Sequence, residues 1–194
     1  LKVIRYHELL DMCSRCNEIR GNFLLITTRP GSEVHALSEV LDALFPLYPS
    51  IRVYEVPLRG NILLGVGKSL KMALDLLNKR YTSTIYHIYP LRALCFPRQL
   101  TDVFHVCLNL AREALQPGSS FRVKCRRKGR SILNNSEAFE RSLGELILRA
   151  LRDKHLHVNL INPDFLVMVH FLEDLVGVGV CAPSLVLRKP TRWD

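Results

Sequence analysis

The sequence predicts an α+β protein made of two successive units, the first with the order βαββαβ and the second α/β. Three observations carry that prediction. Apolar residues repeat with period two in some segments and with the helical period of 3.6 in others. Breaks bearing proline or glycine separate those segments, as at Arg29-Pro30-Gly31, Pro46 to Pro49 and Gln116-Pro117-Gly118. The 194 residues are 48% hydrophobic and 23% charged, a composition that folds and is long enough for one or two cores. The longest apolar runs, such as Phe23 to Ile26 and Phe165 to Val169, fall far below the roughly 18 residues of a membrane span. Lys2, Arg5, His7 and Glu8 stand where a signal peptide would need an apolar stretch.

The elements follow in order. Residues 1–21 read as a short helical or irregular extension. Asn22 to Thr28 is a buried strand. Ser32 is placed to cap a helix whose apolar stripe is Val34, Leu37, Val40, Leu41, Leu44 and Phe45. Ile51 to Val56 alternates as a strand, Gly60 turns the chain, and Asn61 to Val66 is the next strand. Ser69 opens a helix that turns Leu70, Ala73, Leu74 and Leu77 inward. Ser83 to Tyr89 is a further strand, extendable towards Cys95. This is the split βαβ, or ferredoxin-like, order over residues 22–97: a sheet with two helices on one face.

A second unit occupies 98–183. Thr101 is placed to cap a helix carrying Val103, Phe104, Cys107, Leu108, Ala111 and Leu115. A strand follows at Phe121 to Arg127. Asn134 stands three residues before Glu137, the spacing of a capping box, and opens a helix to Asp153. Strands are expected at His157 to Leu160, Phe165 to Phe171 and Leu175 to Cys181. Residues 184–194 form a short basic tail with little to order it.

Charge is uneven. The chain has 27 Lys+Arg against 18 Asp+Glu, a net +9. Residues 1–60 are neutral, 61–120 carry +4, 121–154 carry +6, and 155–194 carry −1. Such an excess points to a polyanion, nucleic acid or an anionic surface. The densest run is Phe121-Arg122-Val123-Lys124-Cys125-Arg126-Arg127-Lys128-Gly129-Arg130. A solvated basic loop is the bland alternative. Against it, Phe121, Val123 and Cys125 alternate with Arg122, Lys124 and Arg126, so one face can pack while the other holds cations at fixed spacing. Arg29, Lys68, Lys71, Arg92 and Arg98 are candidates to extend the surface, with Arg92 and Arg98 flanking the expected junction of the units.

Signals for catalysis are weak. Gly65-Val66-Gly67-Lys68-Ser69 resembles the end of a phosphate loop, but Ile62 stands where its first glycine belongs. It reads better as a strand-to-helix turn. Gly177 and Gly179 lack a third glycine and a following helix, and read as strand glycines that admit close packing. Cys13-Ser14-Arg15-Cys16 is the sharpest metal candidate, with His7 and His35 as further ligands, yet no second cysteine pair has ligand spacing. Two reduced thiols are the default and a local disulfide the alternative. No nucleophile elbow and no spaced pair of carboxylates suggest acid/base work. No cofactor is expected.

Residues 98–183 resemble a THUMP domain, an RNA-binding module of tRNA-modifying enzymes. The resemblance rests on the basic strand Phe121 to Arg127, the helix start Asn134-Asn135-Ser136, the segment Val158-Asn159-Leu160-Ile161-Asn162-Pro163-Asp164, and Val176-Gly177-Val178-Gly179-Val180. Residues 22–97 are similar to the ferredoxin-like domain that precedes THUMP in such proteins. Thr27-Thr28-Arg29-Pro30-Gly31-Ser32-Glu33 is typical of a stand-alone branch that assists an RNA cytidine acetyltransferase. The resemblance implies a cytoplasmic adaptor without catalysis of its own. Its partners would be the tRNA acceptor end with its single-stranded 3′ terminus, and the acetyltransferase, with neither DNA nor membrane. Only about a dozen residues follow the THUMP-like segment, too few for a catalytic domain. The alternative is the RNA-binding portion of a larger thiouridine synthetase, methyltransferase or pseudouridine synthase.

Overall fold

The computed structural model describes residues 1–16, 18–67 and 69–189, with backbone alone at 14–16. It divides into two compact units. Unit 1 comprises Leu1–Met12, Gly21–Pro90 and the chain from Ser184; unit 2 comprises Cys13–Arg20 and Leu91–Pro183.

In unit 1 the elements are β1 (Lys2–Ile4), α1 (Tyr6–Cys16, which ends in unit 2), β2 (Ile19–Thr28), α2 (Glu33–Leu44), β3 (Arg52–Tyr54), β4 (Asn61–Gly65), α3 (Leu70–Asn78) and the first half of β5 (Ile85–Cys95). The strands lie in the order β1-β3-β4-β2-β5. The inner four follow the order expected of a split βαβ unit, with β2 and β3 each antiparallel to β4. Leu24, Ile26, Ile62 and Leu64 pack with Val40 and Leu44 of α2 and Leu74 and Leu77 of α3. Leu25 and Leu63, of opposite parity, are buried as well. Burial on both faces explains why β2 reads as an unbroken apolar run.

Several expectations shift. The α2 stripe is rotated: Ala36 and Ala43 are buried with Val40 and Leu44, while Val34 and Phe45 are exposed. Alanine lets the helix lie close to the sheet, and that fit outweighs the larger side chains at the flanks of the stripe. Ser32 holds the N-cap position without a side-chain bond. Instead the Glu33 carboxylate accepts the Gly60 N–H, 2.5 Å away, and this bond holds its pKa below the ordinary value. Gly60 has φ +73, and a Cβ there would meet the Thr28 carbonyl at 2.8 Å.

Residues 1–16 and 184–189 are more ordered than their composition suggests. β1 pairs parallel with β3, and β10 (Leu187–Arg188) pairs antiparallel with β5. Lys189 is buried, and its ammonium donates to the carbonyls of Leu77, Asn78 and Arg80 at the end of α3. It satisfies acceptors that a helix C-terminus leaves open. Residues 190–194 of the expected tail lie outside the described residues.

Unit 2 takes the second half of β5, α4 (Leu100–Ala114), β6 (Ser120–Lys128), α5 (Ser136–Ala150), β7 (His157–Val158), β8 (Phe165–Leu172) and β9 (Leu175–Cys181). Its strand order is β5-β9-β8-β6-β7, with β6 parallel to β7 and β8. Phe121, Val123, Val167, Val169, Phe171 and Val178 form a core with Val103 and Cys107 of α4 and Phe139, Leu143 and Ile147 of α5. Both helix starts differ from expectation. Gln99 rather than Thr101 is the N-cap of α4, because the Asp102 carboxylate accepts the backbone N–H groups of Arg98 and Gln99. Asn135 rather than Asn134 caps α5, its Oδ1 accepting from Ala138 N–H at 3.0 Å. That register turns Phe139, Leu143 and Ile147 to the sheet. Gly177 does admit close packing, since a Cβ there would lie 2.5 Å from Leu91 Cδ1.

Candidate nucleic-acid interface

Side chains two apart on a strand point the same way and repeat at about 6.6 Å. Along β6 this sends Phe121, Val123 and Cys125 into the core, each no more than 6% exposed. The opposite parity places Arg122, Lys124, Arg126 and Lys128 in one row. In parallel register they lie beside Leu166, Met168, His170 and Leu172 of β8. Met168, His170 and Leu172 are buried, so the cations are carried on a packed wall.

The members of the row differ. Arg122 is half-buried and its Nη1 donates to Leu160 O at 2.6 Å, which tethers the loop between β7 and β8. Lys124 is half-buried and makes no hydrogen bond or ion pair among the described residues. Arg126 and Lys128 are exposed. Burial, then the charge of Arg126, lowers the pKa of the Lys128 ammonium.

Arg127 has the core-side parity, and its Nη1 donates to Leu133 O at 2.9 Å, fastening the segment after β6. Arg130 is exposed beyond the strand, after Gly129 with φ +74. Arg92 and Arg98 are exposed in unit 2, and Arg29 and Lys71 in unit 1. Lys68 lies outside the described residues.

Three polar groups that the charge pattern does not reveal stand against β6, and the first two hold it in place. Asp164 Oδ2 accepts from Ser120 N–H at 2.8 Å and from Ser120 Oγ at 2.7 Å, and Asp164 N–H donates back to Ser120 Oγ. These bonds lower the Asp164 pKa. The clamp joins the starts of β6 and β8, and its sequence trace is the turn Asn162-Pro163-Asp164. Glu140 of α5 accepts the Cys125 N–H at 2.7 Å on the far edge of β6. Ser120→Ala is expected to cost about 1–2 kcal/mol by stranding its partners, read by denaturant unfolding.

His170 is the third group. It is 4% exposed, and burial, followed by the nearby charges of Arg126 and Lys128, lowers its pKa to about 3. It is neutral at physiological pH, which allows a histidine to stand beside two cations.

Among the described residues no group of three potential metal ligands occurs. Cys13 is buried with its thiol towards Leu94 O at 3.8 Å, and the Cys16 side chain lies outside the described residues. Burial raises the thiols of Cys95, Cys125 and Cys181 to about 12 and lifts that of Cys107 well above its ordinary value. Such groups are poor nucleophiles and poor ligands. In the glycine turn, Gly65 ends β4 and packs against Tyr54, and Ser69 caps α3 by accepting from Met72 N–H.

The cation row thus lies on one strand of a half-parallel sheet backed by two helices, an α/β unit. Residues 97–180 match the family model of the THUMP domain, and the chain carries a THUMP domain there. No curated protein matches the sequence significantly. Among solved structures the chain is similar to PH1313 from Pyrococcus horikoshii, at 18% identity and a TM-score of 0.64 over 87% of this chain and 55% of that one. A 4-thiouridine synthetase in complex with RNA and ATP matches at 16% identity and 0.60, over 87% and 42%. TrmN from Thermus thermophilus matches at 27% identity and 0.56, over 82% and 45%. The chain thus spans about half the length of these structures. Among the described residues no helix is long and apolar enough to cross a membrane.

Proposed function

We propose that this chain binds tRNA through its THUMP domain and presents it to a separate RNA cytidine acetyltransferase, with no catalysis of its own. The observation that carries the reading is the row Arg122, Lys124, Arg126 and Lys128 on a strand held by its buried face, inside the segment that matches THUMP. Four phosphate contacts give a log–log salt slope of roughly −3 to −4. The duplex is read by shape, and the unstacked 3′ terminus supplies the rest. The place of action is the cytoplasm.

A second reading has one observation in its favour: the matched structures are about twice as long as the chain. In that reading the chain is the RNA-binding portion of a larger tRNA-modifying enzyme.

Reconstitution separates the two. Purified chain, tRNA, acetyltransferase and acetyl donor are combined, each is omitted in turn, and nucleosides are analysed by mass spectrometry. The adaptor reading expects acetylcytidine only in the full mixture. Product without this chain at an equal rate, or a modified nucleoside made by this chain alone, overturns it. Binding of intact tRNA against a transcript trimmed at its 3′ end tests the acceptor-end contact.

A further inference from the structure

The outer edge of β6 is largely open. β7 pairs only with Ser120 and Phe121, and no strand pairs with β6 on that side from Arg122 onward among the described residues. Between this edge and α5 lies a groove of about 310 Å³. Its apolar lining includes Phe121, Val123 and Leu148, and its lip carries Val158 and Leu160, the latter 62% exposed. Glu137, Glu140 and Glu145 stand around it against the single cation Arg141.

Two features mark the groove as a place for a ligand. Its charge is reversed: residues 121–154 carry +6, yet the groove's side chains sum to −2. Its lining also contains Gly144, in the middle of α5. Glycine inside a helix costs about 1 kcal/mol relative to alanine. A Cβ at Gly144 would find its nearest neighbour, Val123 Cγ2, at 4.0 Å. Packing therefore does not demand glycine, and its effect is to leave the groove deeper.

We infer that this groove docks an extended, apolar segment of a partner protein that carries lysine or arginine, and that the partner is the enzyme that modifies the bound tRNA. The second half of this inference rests on the function proposed above. RNA is disfavoured by the carboxylates, and its sugar-phosphate gains little from apolar walls. An extended peptide suits the open edge, the apolar groove and its charge: main-chain groups meet the strand edge, alternate side chains fill the groove, and cations meet the glutamates. Glu140, which holds the Cys125 N–H, keeps that edge from pairing indiscriminately until the segment arrives.

The test uses the full chain, isotope-labelled, with two short peptides as probes, one alternating valine and lysine and one alternating threonine and lysine. The valine peptide should shift the amide resonances of Cys125, Gly144 and Leu148 and bind at least about tenfold more tightly than the threonine peptide. Gly144→Leu and Glu137→Lys/Glu145→Lys should each weaken it by about tenfold or more while tRNA affinity holds or rises. Gly144→Ala should unfold no earlier than wild type, which guards against a folding defect. Equal binding of both peptides, tRNA shifting the same amides, or self-association that buries the groove overturns the inference. Peptide binding by a chain that does not capture the acetyltransferase supports the groove and overturns the adaptor function, so the two failures are told apart.

Discussion

Lys124→Glu/Arg126→Glu should weaken tRNA binding by about a hundredfold, since each charge-assisted contact contributes about 1.5–3 kcal/mol and 1.4 kcal/mol is tenfold. The log–log salt slope should shrink by about 2, one unit for each phosphate contact removed. The two side chains share one face of β6, beside Met168 and His170 of β8. Neither belongs to the core, so unfolding should change little. Arg127→Glu is the instructive comparison. It makes the charge change of one row substitution one residue along, yet Arg127 is turned to the other side and bonded to Leu133 O. It should lower stability by about 1 kcal/mol through the lost bond and alter the salt slope less than either row residue. Unchanged affinity and slope in the double variant, measured by filter binding across a salt series, would remove the row from the interface.

Acid should destabilise the fold well above the range in which carboxylates titrate. An unfolded His170 takes up a proton as pH falls through 6.5, whereas the folded one does so only near 3. Across that interval the unfolded chain binds the extra proton, so stability falls as pH falls, by about 1.4 kcal/mol per pH unit. Glu33, Glu39, Asp102 and Asp164 also have lowered pKa values, but their contributions are lost only below their ordinary values of 4.5 and 3.8. The interval from pH 6.5 to 5 therefore isolates the histidine from them. Urea unfolding of wild type and His170→Gln at several pH values should give a steeper loss in wild type over that interval. Parallel slopes would exclude His170 as the cause.

The cation row was legible in the sequence because a strand has a period of two. Once Phe121, Val123 and Cys125 alternate, the residues between them must share the other face. The same arithmetic, carried along the expected strand Phe121 to Arg127, gives Arg127 the parity of Phe121, Val123 and Cys125, but its bond to Leu133 O is not written in that alternation. The strand and helix order of unit 1 was legible for a similar reason, since periodicity and Pro-Gly breaks are local signals. The exact caps were not. Asn134 and Asn135 are chemically equal candidates, and the choice between them depends on which face of α5 meets the sheet.

Local pattern alone determined the α+β class, the order of elements from β2 to β9, the alternating basic strand and the concentration of positive charge at 121–154. Tertiary structure decided that Arg122 and Arg127 each serve a carbonyl, that His170 lies buried and neutral beside the cations, that Lys189 ends α3, and that an acidic groove runs along the open edge of β6. The physical reason is separation along the chain. Periodicity is written between neighbouring residues, whereas a buried histidine, a capped helix and an unpaired edge each depend on a segment tens of residues away that must fold against them first.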